Sequence, residues 1–195
     1  MDFLKNLFKS SEKRKSDDIK KQKVSLSLDD TFVHNFIDLG GKFLYCIKKE
    51  DVINNISNII EENNWKKISC NNSELKKYIK SIDVEISDKL STETPFFTNC
   101  EQLISENGSL LFSSNQLKDF KISTLTNDFI VFAKTSQIVK NMGESLTGIK
   151  LKYKGDLPTN ISSIKNYDLN KEDDNFMSYG NNNSKKLYLL LLEDF

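Results

Sequence analysis

One arginine, one histidine, one alanine, two prolines, three cysteines and seven glycines are spread through 195 residues, and each scarcity closes off a kind of chemistry. Arg14 is the single arginine, so the planar fork that grips carboxylate or phosphate with paired N–H groups is missing beyond the N-terminal segment. Anion recognition there rests on lysines, hydroxyls and backbone N–H groups. The single histidine, His34, rules out HExxH zinc chemistry and any multi-histidine metal site, and a Ser-His-Asp or Cys-His arrangement would have to use it. It falls on the polar side of a helix whose apolar positions are Phe32, Val33, Phe36 and Ile37, so a solvent-facing side chain is expected.

Cys46, Cys70 and Cys100 lie 24 and 30 residues apart with no CxxC pair. That spacing makes no zinc or iron–sulfur site, and an odd count is no disulfide framework; the thiols read as buried small hydrophobes in a reducing compartment. The seven glycines are dispersed, so neither a dinucleotide GxGxxG nor a Walker A loop is present. No cofactor or metal is expected. No apolar run reaches the roughly 18 residues of a membrane-spanning helix. The first charges are not followed by the apolar run of a signal peptide, so cytoplasmic placement is the expectation.

What the chain does have is lysine, asparagine and isoleucine: 27, 21 and 18 residues. All three have AT-rich codons, and genome drift accounts for the bias. With 28 basic and 28 acidic residues the net charge is zero, which argues against a nucleic-acid binder. A mean hydropathy of −0.49 with 37% hydrophobic residues describes a globular chain, long enough to bury about 70% of its unfolded surface.

Residues 1–24 stand apart as a basic tail and linker, with eight basic and four acidic residues. Phe3, Leu4, Leu7 and Phe8 recur at helical spacing, which offers residues 1–9 as a small amphipathic helix for peripheral membrane contact; docking on the chain's own domain is the simpler expectation. Residues 25–195 form the domain. A helix over Thr31–Leu39, with Asp29 and Asp30 as candidate N-caps, stops at Gly40-Gly41. Phe43–Ile47 reads as a strand, Val52 to about Asn63 as an amphipathic helix, Lys67–Cys70 as a strand and Ser73–Ile79 as a helix. Extended candidates follow at Val84–Ile86, Pro95–Asn99, Gln102–Ser105, Ser109–Ser113, Phe129–Ala133, Asn160–Ile164 and Leu187–Leu192, with a helix over Thr135–Ser145 placing Ile138, Val139, Met142 and Leu146 in the core. Alternating strands and helices predict an α/β sheet covered on both faces, a three-layer α/β/α sandwich.

Four small-polar clusters could carry chemistry. In Glu106-Asn107-Gly108-Ser109 the Asn-Gly pair marks a tight turn with positive φ, where consecutive N–H groups could cradle an anion and Glu106 could act as a base or nucleophile. Ser113 and Ser114 add hydroxyls after the next strand. Thr159 and Asn160 lie in a second polar loop, Gly180 in a third, and Thr135 opens a helix at a sheet edge, where open α/β folds bind ligands.

In this order, Glu106-Asn107-Gly108-Ser109-Leu110-Leu111-Phe112-Ser113-Ser114, Phe129–Ala133, Thr135–Ser145 and Gly180 to Leu192 resemble the LUD-domain family, lactate-utilisation proteins of the LutC type. The likeness covers about residues 30–195 and is similar to short stand-alone members from Bacteroidetes. It implies a fold like that of the NagB, RpiA and CoA-transferase group. It also implies an accessory role in oxidising L-lactate to pyruvate, with a small anionic organic acid or phosphorylated compound as ligand and an iron–sulfur subunit as partner. The family's Ser-Gly-Pro-Ser loop stands here as Thr159-Asn160-Ile161-Ser162-Ser163, and its His-Gly turn as Tyr179-Gly180. A non-catalytic partner-binding protein and a CoA-transferase or cyclo-ligase using Glu106 are the other readings.

Overall fold

The fold is given by a computed structural model that describes residues 26–169 and 183–194. In chain order the elements are α1 (Leu28–Asp38), β1 (Lys42–Cys46), α2 (Lys49–Glu62), β2 (Lys67–Ser69), α3 (Ser73–Ile79), β3 (Glu85–Ser87), β4 (Phe96–Asn99), β5 (Gln102–Ile104), β6 (Ser109–Phe112), α4 (Ser114–Leu117), β7 (Asp128–Lys134), β8 (Ile138–Val139), α5 (Met142–Tyr153), β9 (Ser162–Ile164) and β10 (Lys186–Leu192). Six strands form one sheet in the order β1-β10-β7-β4-β2-β3, and every neighbouring pair is parallel.

The continuous apolar runs of β7 and β10 suit a strand covered on both faces, because successive side chains point to opposite sides. Phe129, Val131, Ala133, Leu187, Leu189 and Leu191 enter one core, together with Phe32, Val33 and Phe36 of α1. Ile130, Phe132, Tyr188, Leu190 and Leu192 enter the other, against Val52, Ile56, Ile59 and Ile60 of α2 and Leu75 and Ile79 of α3. The result is a three-layer α/β/α arrangement. The layer on the α1 face also contains a small mixed sheet, β8-β5-β6-β9, whose Leu103, Leu110, Phe112, Ile138 and Ile164 complete that core.

Local chemistry sets the element ends. α1 starts earlier than its periodicity suggests, because Ser27 and not Asp29 or Asp30 is the N-cap: its hydroxyl accepts from the Asp30 N–H at 3.1 Å and donates to the Asp30 carboxylate at 2.7 Å. The expected helix over Thr135–Ser145 is replaced by three pieces. Gln137 Oε1 accepts from the Lys134 N–H at 2.9 Å, closing a single 3-10 turn over Thr135–Gln137. The β-branched Ile138 and Val139 then pair with Leu103 and Ile104, and α5 begins only behind its Asn141 cap. Leu146, expected in the core, is consequently exposed, while Ser145 and Ile149 face inward. His34 is exposed and 3.1 Å from Asp38, and all three cysteines are free and buried. The N-terminal tail with residues 1–9, and Gly180, lie outside the described residues.

Candidate functional site

The strand order reverses beside β4, which ends at Asn99, and the chain leaving it makes Cys100 and Glu101 before entering β5. A crevice at the carboxyl ends of parallel strands is where open α/β sheets place their ligands. Glu101 has only 1% of its side chain exposed. A carboxylate taken out of water must recover its hydrogen bonds from the protein, and five side chains supply them. Oε1 accepts from Ser113 Oγ at 2.7 Å, Asn115 Nδ2 at 2.9 Å, Tyr153 OH at 3.1 Å and Gln116 Nε2 at 3.2 Å. Oε2 accepts from Tyr153 OH at 2.9 Å and Lys152 Nζ at 3.1 Å.

Each donor is placed by its own segment. Ser113 follows β6 directly as the N-cap of α4, within a capping box closed by Gln116. Lys152 and Tyr153 end α5. The Gln137 amide reaches back from the 3-10 turn to the Cys100 and Glu101 carbonyls, at 2.8 and 3.1 Å. Burial pushes the Glu101 carboxyl up, but the bonds from Ser113, Asn115, Tyr153 and Lys152 outweigh it and bring its pKa down to about 2. The group is therefore an ionised organiser whose acceptor positions are filled, unsuited to taking up a proton near neutrality.

Lys152 is the outward part of this network. Its ammonium binds Glu101, lies 4.8 Å from the centre of the Tyr153 ring, and leaves 59% of its side chain exposed. Burial disfavours its charge, yet Tyr153 and Glu101 raise its pKa above the ordinary lysine value. Beside it, the Ser114 and Thr159 segments are tied by two bonds, Ser114 N–H to the Thr159 carbonyl at 2.8 Å and Thr159 N–H to Ser114 Oγ at 3.0 Å. Asn160, with φ +52°, donates to the Phe120 carbonyl at 2.8 Å. Asn115, the neighbour of Ser114, donates to Tyr153 OH at 2.8 Å and links the two segments; the exposed Lys152 ammonium is the group here that can meet an anion.

The structure gathers Ser113, Ser114, Thr159 and Asn160 at this place, and Thr135 one strand further along. Thr135 is already occupied: its hydroxyl and the Ser136 N–H and hydroxyl hold the Asp194 carboxylate at 2.9, 3.0 and 2.7 Å. Burial pushes Asp194 up, and those bonds hold it below the usual carboxylate range. Glu106, Asn107, Gly108 and Ser109 sit at the opposite end of β5. Gly108 adopts φ +63°, as the Asn-Gly pair predicted, but α1 lies on it: a Cβ there would stand 2.6 Å from the Phe36 nitrogen. The Asn107 carboxamide takes the Ser109 N–H at 3.1 Å, the Glu106 N–H donates to the Lys140 carbonyl at 3.0 Å, and Ser109 is buried. The Ser109 and Glu106 amides thus donate within the turn and to Lys140, while α1 packs over Gly108.

Sequence reasoning passed over Glu101, Asn115, Gln116, Lys152 and Tyr153. The one available signal was a carboxylate in the two-residue connection between two apolar extended candidates, Pro95–Asn99 and Gln102–Ser105. Among the described residues, no group of three or more His, Cys, Asp or Glu side chains is placed to hold a metal ion, and no helix is long and apolar enough to cross a membrane.

Fold and site together define an α/β protein with a built polar site at the carboxyl edge of a parallel sheet. The chain belongs to the LUD domain family, whose profile matches residues 30–192. It is similar in fold to the crystal structure of a DUF162 family protein from Deinococcus radiodurans, with 13% sequence identity, a TM-score of 0.59, and coverage of 87% of this chain and 100% of that one. No curated protein matches the chain.

Proposed function

We propose that this LUD-domain protein is an accessory component of L-lactate utilisation that binds an organic-acid or phosphorylated ligand on the surface formed by Lys152, Tyr153 and Ser114. Family membership supports a lactate-utilisation-related role in general. The observation that carries the site is the Glu101 network, which presents the Lys152 ammonium to solvent from a fixed anchor. A carboxylate such as that of lactate would meet the remaining ammonium protons and the Ser114 hydroxyl, while Glu101 acts as a positioning residue. Oxidation of lactate to pyruvate releases two electrons and two protons, so the reading requires an acceptor, and an iron–sulfur subunit is the class of partner that suits it. A cytoplasmic place and kinship with the NagB, RpiA and CoA-transferase group belong to the same reading. A covalent acyl intermediate is less well supported, because the Glu101 oxygens are filled by donors and Glu106 lies at the far end of β5.

The test is an NMR titration of the full chain with L-lactate and pyruvate, joined to growth of a deletion strain on lactate. Shifts confined to Ser114, Asn115, Lys152 and Tyr153, lost in Lys152→Gln, with a growth defect that Lys152→Gln fails to rescue, are expected. Unmoved signals together with normal growth on lactate overturn the reading.

A further inference from the structure

The 3-10 turn over Thr135–Gln137 is too short to close more than a bond or so of its own backbone, so its side chains decide where it sits. On one side they hold a carboxylate. Thr135 Oγ1 and the Ser136 N–H donate to Asp194 Oδ1 at 2.9 and 3.0 Å, Ser136 Oγ donates to Oδ2 at 2.7 Å, and the Lys134 ammonium lies 3.6 Å from Oδ2. On the other side the Gln137 amide holds the Cys100 and Glu101 carbonyls at 2.8 and 3.1 Å. The turn follows β7, Asp194 follows β10 and Glu101 follows β4, three neighbours in the sheet. One bracket thus joins three strand ends, with the Asp194 carboxylate at one end and the backbone of Glu101 at the other. Asp194 is itself anchored, because the preceding Glu193 N–H donates to the Cys46 carbonyl at the end of β1, at 2.9 Å.

We infer that Asp194 is a positioning residue for the Lys152 surface, acting through the turn and Glu101. The inference deepens the reading of Lys152 as the group that meets the ligand, and rests on that reading for its lactate arm. Thr135 is buried, so loss of the carboxylate leaves its hydroxyl without an acceptor and away from water, and the turn must move to find one. Gln137 moves with the turn and lets go of the Cys100 and Glu101 carbonyls. Glu101 holds the Lys152 ammonium at 3.1 Å, so the direction of that ammonium follows the backbone of Glu101. A lysine fixed beforehand meets a small carboxylate without being ordered at the moment of binding, and a loosened one loses that advantage. Asp194→Asn keeps an oxygen for Thr135 and the Ser136 N–H, and its new amide donates to the Ser136 hydroxyl, which can accept as well as donate. Asp194→Ala keeps neither contact, so the two substitutions separate the bracket from the charge.

NMR of the full chain, free and titrated with L-lactate, tests this in Asp194→Ala, Asp194→Asn, Gln137→Ala and the double variant Asp194→Ala with Gln137→Ala. In the free protein, Asp194→Ala is expected to shift the Cys100, Glu101, Lys152 and Tyr153 signals, and Asp194→Asn to leave them in place. Lactate affinity should fall about fivefold in Asp194→Ala and in Gln137→Ala. The double variant should fall no further than either single one, because both substitutions cut the same bracket. Circular dichroism melting checks that each variant is folded, and should Asp194→Ala fail to fold, the milder Ser136→Ala reads the same signals. Shifts that stop at residues 134–136 overturn the inference, as do equal effects of Asp194→Ala and Asp194→Asn, or additive losses in the double variant. If lactate leaves the unsubstituted chain unmoved while the free-protein shifts follow the expected pattern, the positioning role stands and the lactate reading falls.

Discussion

Glu101 and Glu106 stand at the two ends of β5 and meet opposite physical conditions. Glu101 is sealed under five side-chain donors, a lysine among them, while Glu106 is exposed on a 3-10 turn whose backbone is tied down by α1 and Lys140. The contrast teaches where organisation comes from. A carboxylate without water orders its surroundings, because every group it recruits must be fixed to compensate it. A solvated carboxylate orders nothing, and its turn owes its shape to Gly108 and to helix packing.

Substitution should break this symmetry most strongly at Glu101. Glu101→Ala leaves Lys152, Ser113 and Gln116 without their acceptor and should cost about 3–5 kcal/mol in chemical denaturation, whereas Glu106→Ala should stay within about 0.5 kcal/mol. Equal effects would mean that the network is not what holds this end of the sheet. Acid sharpens the same point. Glu101 falls from 4.5 in the ordinary case to about 2 when folded, so the unfolded chain binds more protons between those values. The stabilisation is fully present above pH 4.5 and is lost as pH falls toward 2, by about 3 kcal/mol in all. Glu101→Gln should flatten that part of the acid-unfolding curve, and an unchanged slope would assign it to other carboxylates.

At the other end of β5 the sensitive residue is the glycine. Gly108→Ala places a Cβ 2.6 Å from the Phe36 nitrogen and 2.7 Å from the Asn35 carbonyl carbon, at a left-handed φ, and should cost about 2 kcal/mol. If ligand binding at Lys152 survives while stability falls, the turn is confirmed as packing. A smaller effect than at Gly108 is expected at Lys185, whose buried ammonium donates to the Leu125 carbonyl at 2.9 Å. Burial lowers its pKa from 10.5 to about 8, so the unfolded chain binds more protons in that window and stability should rise as pH climbs through it. Lys185→Met should remove that rise and change stability at neutral pH by no more than about 1 kcal/mol.

Much of the scaffold was legible before any coordinates. The uninterrupted apolar runs at Phe129–Ala133 and Leu187–Leu192 identified the two strands buried on both faces, and Ser73–Ile79 is the observed span of α3. The small sheet was harder to see. Its strands are two to four residues long, too short for periodicity to distinguish Ile138–Val139 from the start of a helix. What broke the helix was one side chain, Gln137, folding back onto its own backbone and onto Cys100 and Glu101.

The amino-acid order alone determined the layered α/β class, the positive φ at Gly108, and the exclusion of multi-histidine sites and of a guanidinium fork beyond the N-terminal segment, because these depend on residue type and on neighbours along the chain. Which glutamate became the organiser was decided only in three dimensions. Its partners come from α4, from the Ser113 cap before it and from α5, up to 52 positions away in sequence, and a carboxylate's ionisation depends on which donors surround it rather than on its adjacent residues.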